Sequence, residues 1–200
     1  MKTFHVHTLG CKVNQYESDG ISVGLENKGW ARHPVKKGAD LYIINTCAVT
    51  SKAGMQSRQA IRKIIRDNPD ATVIVTGCHA QTDPEQIRQI DHVDQIVCHR
   101  DKARIADEID ALCSKKTILS KKTILPFIPP DHTQSNQFQG FDHVVKGEMT
   151  RAYLKIQDGC DAFCTYCIVP YARGSSVSMP EKEVLAHVKT LGETGFKEVI

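Results

Sequence analysis

The run Leu41-Tyr42-Ile43-Ile44, closed by Asn45-Thr46-Cys47, and the run Thr72-Val73-Ile74-Val75, closed by Gly77-Cys78, flank a basic amphipathic stretch at residues 51–67. Each apolar run is short and continuous, the pattern of a parallel strand buried on both faces. Between them Ile61, Ile64 and Ile65 lie on one side of a helix, and Pro69 stands just beyond its end. Strand, helix, strand in that order makes a right-handed crossover in a parallel sheet.

The same alternation continues in both directions. Upstream, residues 3–9 carry Phe4 and Val6 at strand spacing before Gly10-Cys11, and residues 16–27 read as a helix stopped by Gly29. Downstream, Pro84 suits the first turn of a helix, residues 95–97 read as a fourth strand, and residues 102–112 as a closing helix. Residues 1–113 are therefore expected to form a doubly wound α/β domain. Cys11, Cys47 and Cys78 each lie just past the carboxyl end of an expected strand, and in an open parallel sheet those ends share the ligand-binding edge. Each alone reads as a small buried hydrophobe. Three at equivalent loop positions read as a shared ligand set.

Composition narrows the class. Of 200 residues, 26 are Lys or Arg and 23 Asp or Glu, a net charge of +3 that neither announces a nucleic-acid binder nor suits a disordered tail. At 40% hydrophobic the chain can bury a core. No apolar run approaches the ~18 residues of a membrane span, and the first residues lack the apolar segment of a secretory signal. A cytoplasmic location is expected, and in a reducing compartment eight cysteines point to metal or redox chemistry rather than disulfides.

Residues 114–148 read as a linker, with Pro129-Pro130 and a near-duplicate, Lys115-Lys116-Thr117-Ile118-Leu119-Ser120 followed by Lys121-Lys122-Thr123-Ile124-Leu125-Pro126. Residues 149–200 open a second module: a strand over 151–157, a cysteine loop, a helix over 181–193 and a strand onset at 196–200. One β–loop–α–β unit is short of the ~250 residues of a (β/α)₈ barrel, so the chain is expected to be a truncated piece of a larger protein, inactive alone. Its residues after about Arg151 are expected to be protease-labile when metal-free.

The cysteine loop is Gly159-Cys160-Asp161-Ala162-Phe163-Cys164-Thr165-Tyr166-Cys167, spaced C-x₃-C-x₂-C. Zinc sites usually take four ligands from two segments, so three cysteines in one loop fit zinc poorly unless Cys98, Cys113 or a histidine completes the set. An iron–sulfur cube takes four thiolates, and with three one iron stays open to a cofactor or substrate. A structural zinc knuckle is the alternative.

These residues resemble radical S-adenosylmethionine enzymes. The resemblance implies a 4Fe–4S cluster on Cys160, Cys164 and Cys167 whose open iron chelates S-adenosylmethionine, with Tyr166 beside that cofactor. Further motifs narrow it: Thr8-Leu9-Gly10-Cys11-Lys12-Val13-Asn14-Gln15, Asn45-Thr46-Cys47-Ala48-Val49-Thr50, Thr76-Gly77-Cys78 and Ile156-Gln157-Asp158-Gly159-Cys160 together look like the methylthiotransferases. That likeness implies a second 4Fe–4S cluster on Cys11, Cys47 and Cys78, and a second domain that is the start of a radical-SAM (β/α) barrel.

Gly10-Cys11-Lys12-Val13-Asn14-Gln15 resembles the branch acting on tRNA with N6-threonylcarbamoyladenosine beside the anticodon. Other branches act on isopentenyladenosine in tRNA or on a ribosomal protein. A non-catalytic iron–sulfur or zinc module is the rival outside enzymes.

By resemblance, a 5′-deoxyadenosyl radical takes hydrogen from carbon 2 of the adenine, the amino-terminal cluster presents sulfur, and a second S-adenosylmethionine gives the methyl group. A low-potential electron donor is implied, and no acid–base catalytic residue. Two positions depart from the family pattern: His79 stands where tyrosine is frequent, and Met179 where arginine is common.

Other features read as structural. Arg58, Arg62 and Arg66 recur every fourth residue, a stripe that could follow RNA phosphates but reads as a solvated helix face. His5 and His7 alternate opposite Phe4 and Val6, and Cys98 and Cys113 read as packing residues. No Ser–His–Asp set, phosphate-binding glycine loop or zinc-protease helix is present in the sequence.

Overall fold

A computed structural model describes residues 1–35, 37–114, 138, 140, 141 and 150–200, with the side chains of 110–114 excepted. Five parallel strands form one sheet: β1 (Thr3–Thr8), β2 (Ala31–Arg32), β3 (Leu41–Thr46), β4 (Thr72–Gly77) and β5 (Gln95–Ile96), in the spatial order β2-β1-β3-β4-β5. That order reverses direction between β1 and β3, which makes the carboxyl end of this pair the topological switch point.

Helices cover both faces, so the α/β expectation holds. Phe4, Ile43 and Ile74 pack with Tyr16, Ile21 and Leu25 of α1 (Lys12–Asn27) and with Ile105 and Ile109 of α5 (Ile105–Ser114). Tyr42, Ile44, Val73 and Val75 face the other way, against Ile61 and Ile64 of α2 (Ser51–Asp67) and Ile87 of α4 (Pro84–Arg88). Every residue of β3 is buried, as a central parallel strand requires. Thr50 caps α2 by accepting from the Ala53 N–H at 3.1 Å, which fixes its start at the expected place.

Four elements differ from the sequence expectation. Helix α1 begins at Lys12 rather than at 16, because its first turns bury the polar residues Asn14, Glu17 and Ser18 and so lack an apolar stripe. Strand β2 has only two residues, too few to show a period. Helix α3 (Cys78–Thr82) starts directly on Cys78. The closing helix is a 3₁₀ segment, His99–Arg104, running into α5.

The second module is also less regular than expected. Residues 151–157 do not form a continuous strand. Ala152 makes a parallel bridge to Val199, with Leu154 N–H bonded to the Ile200 carbonyl at 2.9 Å. Strand β6 (Gln157–Asp158) instead pairs antiparallel with β7 (Val177–Ser178), bracketing the cysteine loop and α6 (Val169–Arg173). Helix α7 (Glu181–Glu193) stands where expected. The strand–helix–strand order is present as a bridge, and nothing in it closes a barrel. The linker expected at 114–148 falls, apart from Ser114 and Phe138, Gly140 and Phe141, outside the described residues.

Candidate functional site

Strand register decides where the first three cysteines sit. Asn45 is the register partner of both Thr8 and Thr76, so the carboxyl ends of β1, β3 and β4 are level. Cys47 and Cys78 then stand two residues past Asn45 and Thr76, directly after the last partnered pair Thr46 and Gly77, and Cys11 three residues past Thr8. Cys47 and Cys78 are buried and Cys11 is exposed. A Cβ built on Gly10 would lie 2.9 Å from the Cys47 Sγ, so the loop after β1 presses directly onto that thiol.

Glycines make these loops possible. Gly10, Gly77 and Gly159 directly precede Cys11, Cys78 and Cys160, and each has positive φ, at 105°, 98° and 76°. A Cβ on Gly77 would fall 2.3 Å from the Thr46 carbonyl oxygen, and one on Gly159 2.0 Å from that of Ser175. Backbone approaches of this kind exclude any side chain.

A polar floor holds the edge together. The Ser57 hydroxyl donates to the Cys47 carbonyl at 3.0 Å and accepts from the Cys47 N–H at 3.2 Å. The Asn14 amide donates to the Leu9 and Thr46 carbonyls at 2.7 and 3.0 Å, tying the loop after β1 to the end of β3. Asn45 donates to the Asn14 carbonyl at 2.9 Å and to Ser18 at 3.1 Å.

In the second loop Cys160 and Cys167 are half-buried and Cys164 is exposed. The Cys160 N–H donates to the Gly174 carbonyl at 3.0 Å, and the Cys167 N–H to the Cys164 carbonyl at 2.9 Å, which closes the loop on itself. Tyr166 is 88% exposed and free of the loop's own packing. Phe163, at positive φ, instead packs edge-on to Tyr171 with ring centres 5.9 Å apart.

Between the two cysteine groups lies a buried ion network that the sequence reading missed. Glu17 accepts from Lys102 at 2.5 Å, Arg173 at 3.0 Å and Lys155 at 3.4 Å. Asp158 accepts from Arg173 and Lys155, both at 2.8 Å, and from His99 Nε2 at 2.9 Å. Burial opposes ionisation of Glu17, but Lys102, Arg173 and Lys155 outweigh it and hold the carboxyl well below the carboxylate range. Burial likewise opposes ionisation of Asp158, where His99, Lys155 and Arg173 prevail.

His99 moves the other way. Burial, then Lys102, pulls its pKa down, so it stays neutral with Nε2–H toward Asp158. Its Nδ1 is buried without a hydrogen-bond partner. Burial and then Glu17 push Tyr16 up to about 12.

Glu17, His99 and Asp158 offer ligand atoms within 4.8 Å of one another. Lys102, Lys155 and Arg173 already supply the countercharge there, so the group reads as an ion network rather than a metal site. One sequence sign points to Glu17: it stands four residues before Ile21 and eight before Leu25, on the buried stripe of α1.

The other singled-out residues have structural partners. Arg58 donates to Nε2 of His79 at 3.4 Å, and burial with Arg58 keeps that imidazole neutral. Met179 and Cys98 are buried, and the His5 ring packs tilted at 52° against Tyr42, centres 5.8 Å apart. Arg62 and Arg66 are exposed. The side chain of Cys113 lies outside the described residues.

The described thiols are all free, and each expected triad is gathered into one place: an edge of three adjacent strands, and a single loop. Thiol donors of this number and type suit an iron–sulfur cube with one open iron.

The chain is also similar in sequence to known proteins. Residues 3–98 match the family described as "Uncharacterized protein family UPF0004". Over 200 residues the chain is 38% identical to the threonylcarbamoyladenosine tRNA methylthiotransferase MtaB of Bacillus subtilis, covering all of this chain and 43% of that protein. The chain is a homologue of the methylthiotransferases. It is 36% identical to the MtaB protein of Aquifex aeolicus over 96% of its own length and 45% of that protein's. It is 30% identical to the tRNA-2-methylthio-N(6)-dimethylallyladenosine synthase of Cereibacter sphaeroides, over 97% of its own length and 43% of that protein's. The chain thus spans less than half the length of these curated relatives. No helix among the described residues is long and apolar enough to cross a membrane.

Proposed function

We propose that this chain carries the two cluster sites of a tRNA methylthiotransferase that adds a methylthio group to carbon 2 of N6-threonylcarbamoyladenosine beside the anticodon. The carrying observation is the gathering of Cys11, Cys47 and Cys78 on one carboxyl edge, with Cys160, Cys164 and Cys167 in a loop joined to it through a shared ion network. Cys11, Cys47 and Cys78 would hold one 4Fe–4S cluster, and Cys160, Cys164 and Cys167 the other, with Tyr166 beside S-adenosylmethionine.

When bound, the cofactor and cluster supply a radical, the reagent suited to an adenine C–H that has neither an acidic proton nor a leaving group. The chain's own residues bind and orient. Gly10, Gly77 and Gly159 let the backbone fold tightly beside the thiols, and Ser57 and Asn14 fix the first loop pair. The reading divides the chain at 1–113, 114–148 and 149–200, and implies a low-potential electron donor and a cytoplasmic tRNA substrate.

The threonylcarbamoyl branch is favoured because the MtaB proteins compared share 33–38% identity with this chain and the dimethylallyladenosine synthases 30–31%. The dimethylallyl substrate is the second reading, supported by those same relatives. Incubating the reconstituted full-length enzyme, of which this chain would supply the cluster sites, with S-adenosylmethionine, reductant and each hypomodified tRNA separates the two: mass spectrometry of nucleosides should show methylthiolation of the threonylcarbamoyl form. Product only on the dimethylallyl form would reverse the assignment.

A further inference from the structure

Arg173 is bonded to three residues at once. Its Nη1 donates to Glu17 at 3.0 Å and to Asp158 at 2.8 Å, and its Nη2 donates to Asn14 at 2.9 Å. Asn14 and Glu17 stand in the first turns of α1, directly after Cys11. Asp158 stands two residues before Cys160, and Arg173 one residue before Gly174, whose carbonyl receives the Cys160 N–H. A single planar guanidinium therefore touches the start of one cysteine group and both ends of the other, a geometry a lysine ammonium cannot reproduce.

The remaining partners divide cleanly. Lys102 bonds Glu17 from within the sheet domain, whereas Lys155 and Arg173 reach Glu17 from the second module. All of these side chains are buried, so the contact is not a loose surface pair.

We infer that Arg173 is a positioning residue that locks the Cys160–Cys167 loop against the sheet edge carrying Cys11, Cys47 and Cys78, setting the spacing of the two groups. The lock is a property of the polypeptide. Its use, holding two clusters at a fixed separation, rests on the proposed function.

The test compares Arg173→Lys with Lys102→Met in the full chain. In the metal-free protein, hydrogen exchange is followed by mass spectrometry on peptides from 152–178 and from β1, β3 and β4. Arg173→Lys should speed exchange in 152–178 about tenfold while the strands keep their protection. Lys102→Met removes a bond internal to the sheet domain and should not loosen 152–178 selectively.

Unchanged exchange in Arg173→Lys, or the same pattern in both variants, would overturn the lock. If Arg173→Lys does not fold, Asp158→Asn weakens the charge pair that aims the guanidinium and the bond from the loop to His99 of the sheet domain, and carries the same expectation. After anaerobic reconstitution, the magnetic interaction between the two clusters should weaken in Arg173→Lys at unchanged iron content. Wild-type protein that binds no iron would remove the proposed function and leave the exchange experiment to judge the lock.

Discussion

Nη2 of Arg173 donates to Oδ1 of Asn14 at 2.9 Å across 159 positions of chain. Asn14 meanwhile donates through its amide nitrogen to the carbonyls of Leu9 and Thr46. One buried side chain thus joins the loop after β1, the end of β3 and the second module. Asn14→Asp keeps the acceptor for Arg173 and loses both donated bonds, setting a carboxylate against two carbonyls. It should cost about 1–3 kcal/mol, read as a lower urea midpoint with an unchanged slope.

Glu17 is the centre of charge. Replacing it with Gln leaves Lys102, Lys155 and Arg173 buried with one carboxylate, Asp158, between them. Removing one partner of a buried ion group costs about 3–5 kcal/mol. The exposed pair Lys189–Glu193, 4.0 Å apart, makes the contrast: Glu193→Gln should cost at most about 1 kcal/mol. Thermal melts of both variants check the difference.

Acid should weaken the fold in two stages. His99 has a folded pKa below its ordinary 6.5, held there by burial and Lys102 against the pull of Glu17 and Asp158. The unfolded chain therefore takes up its proton first, and stability is lost as pH falls below about 6.5. Glu17, also lowered, adds its loss as pH falls below its ordinary 4.5. Melting temperature of metal-free protein should decline from pH 7 toward pH 4, and His99→Gln should flatten the part between 6.5 and 5.

The glycines before the cysteines differ in kind from the others. Gly195 has φ of 97° but open space around a built Cβ, so Gly195→Ala should cost about 1–2 kcal/mol from backbone strain alone. Gly77→Ala and Gly159→Ala must also displace the backbone carbonyls of Thr46 and Ser175. Both should lose more stability than Gly195→Ala, and each should impair iron binding at its neighbouring cysteine. Chemical denaturation and iron analysis of the three variants make the comparison.

Much of this was legible in the sequence where one local pattern sufficed. Helices α2 and α7 fall where their residues place them, since Thr50 caps the first and proline and glycine bound the second. The convergence of Cys11, Cys47 and Cys78 followed from strand ends in a parallel sheet and needed no contact information. Helix α1 was misjudged because Glu17 and Asn14 occupy positions where an apolar period is expected, and they do so to meet partners far away. Those partners lie 85, 138 and 156 residues from Glu17, beyond the reach of any periodicity. The pairing of β6 with β7 was missed for a related reason: two-residue strands carry no alternation, and only the fold of the intervening loop brings them together.

The most direct measurement of the central claim is iron and acid-labile sulfide per chain after anaerobic reconstitution, with spectra taken before and after adding S-adenosylmethionine. Two cubes predict about eight irons, with one cluster's spectrum changing on addition of the cofactor and that change lost in Cys164→Ala. About four irons with no spectral response, or zinc in their place, would contradict the account.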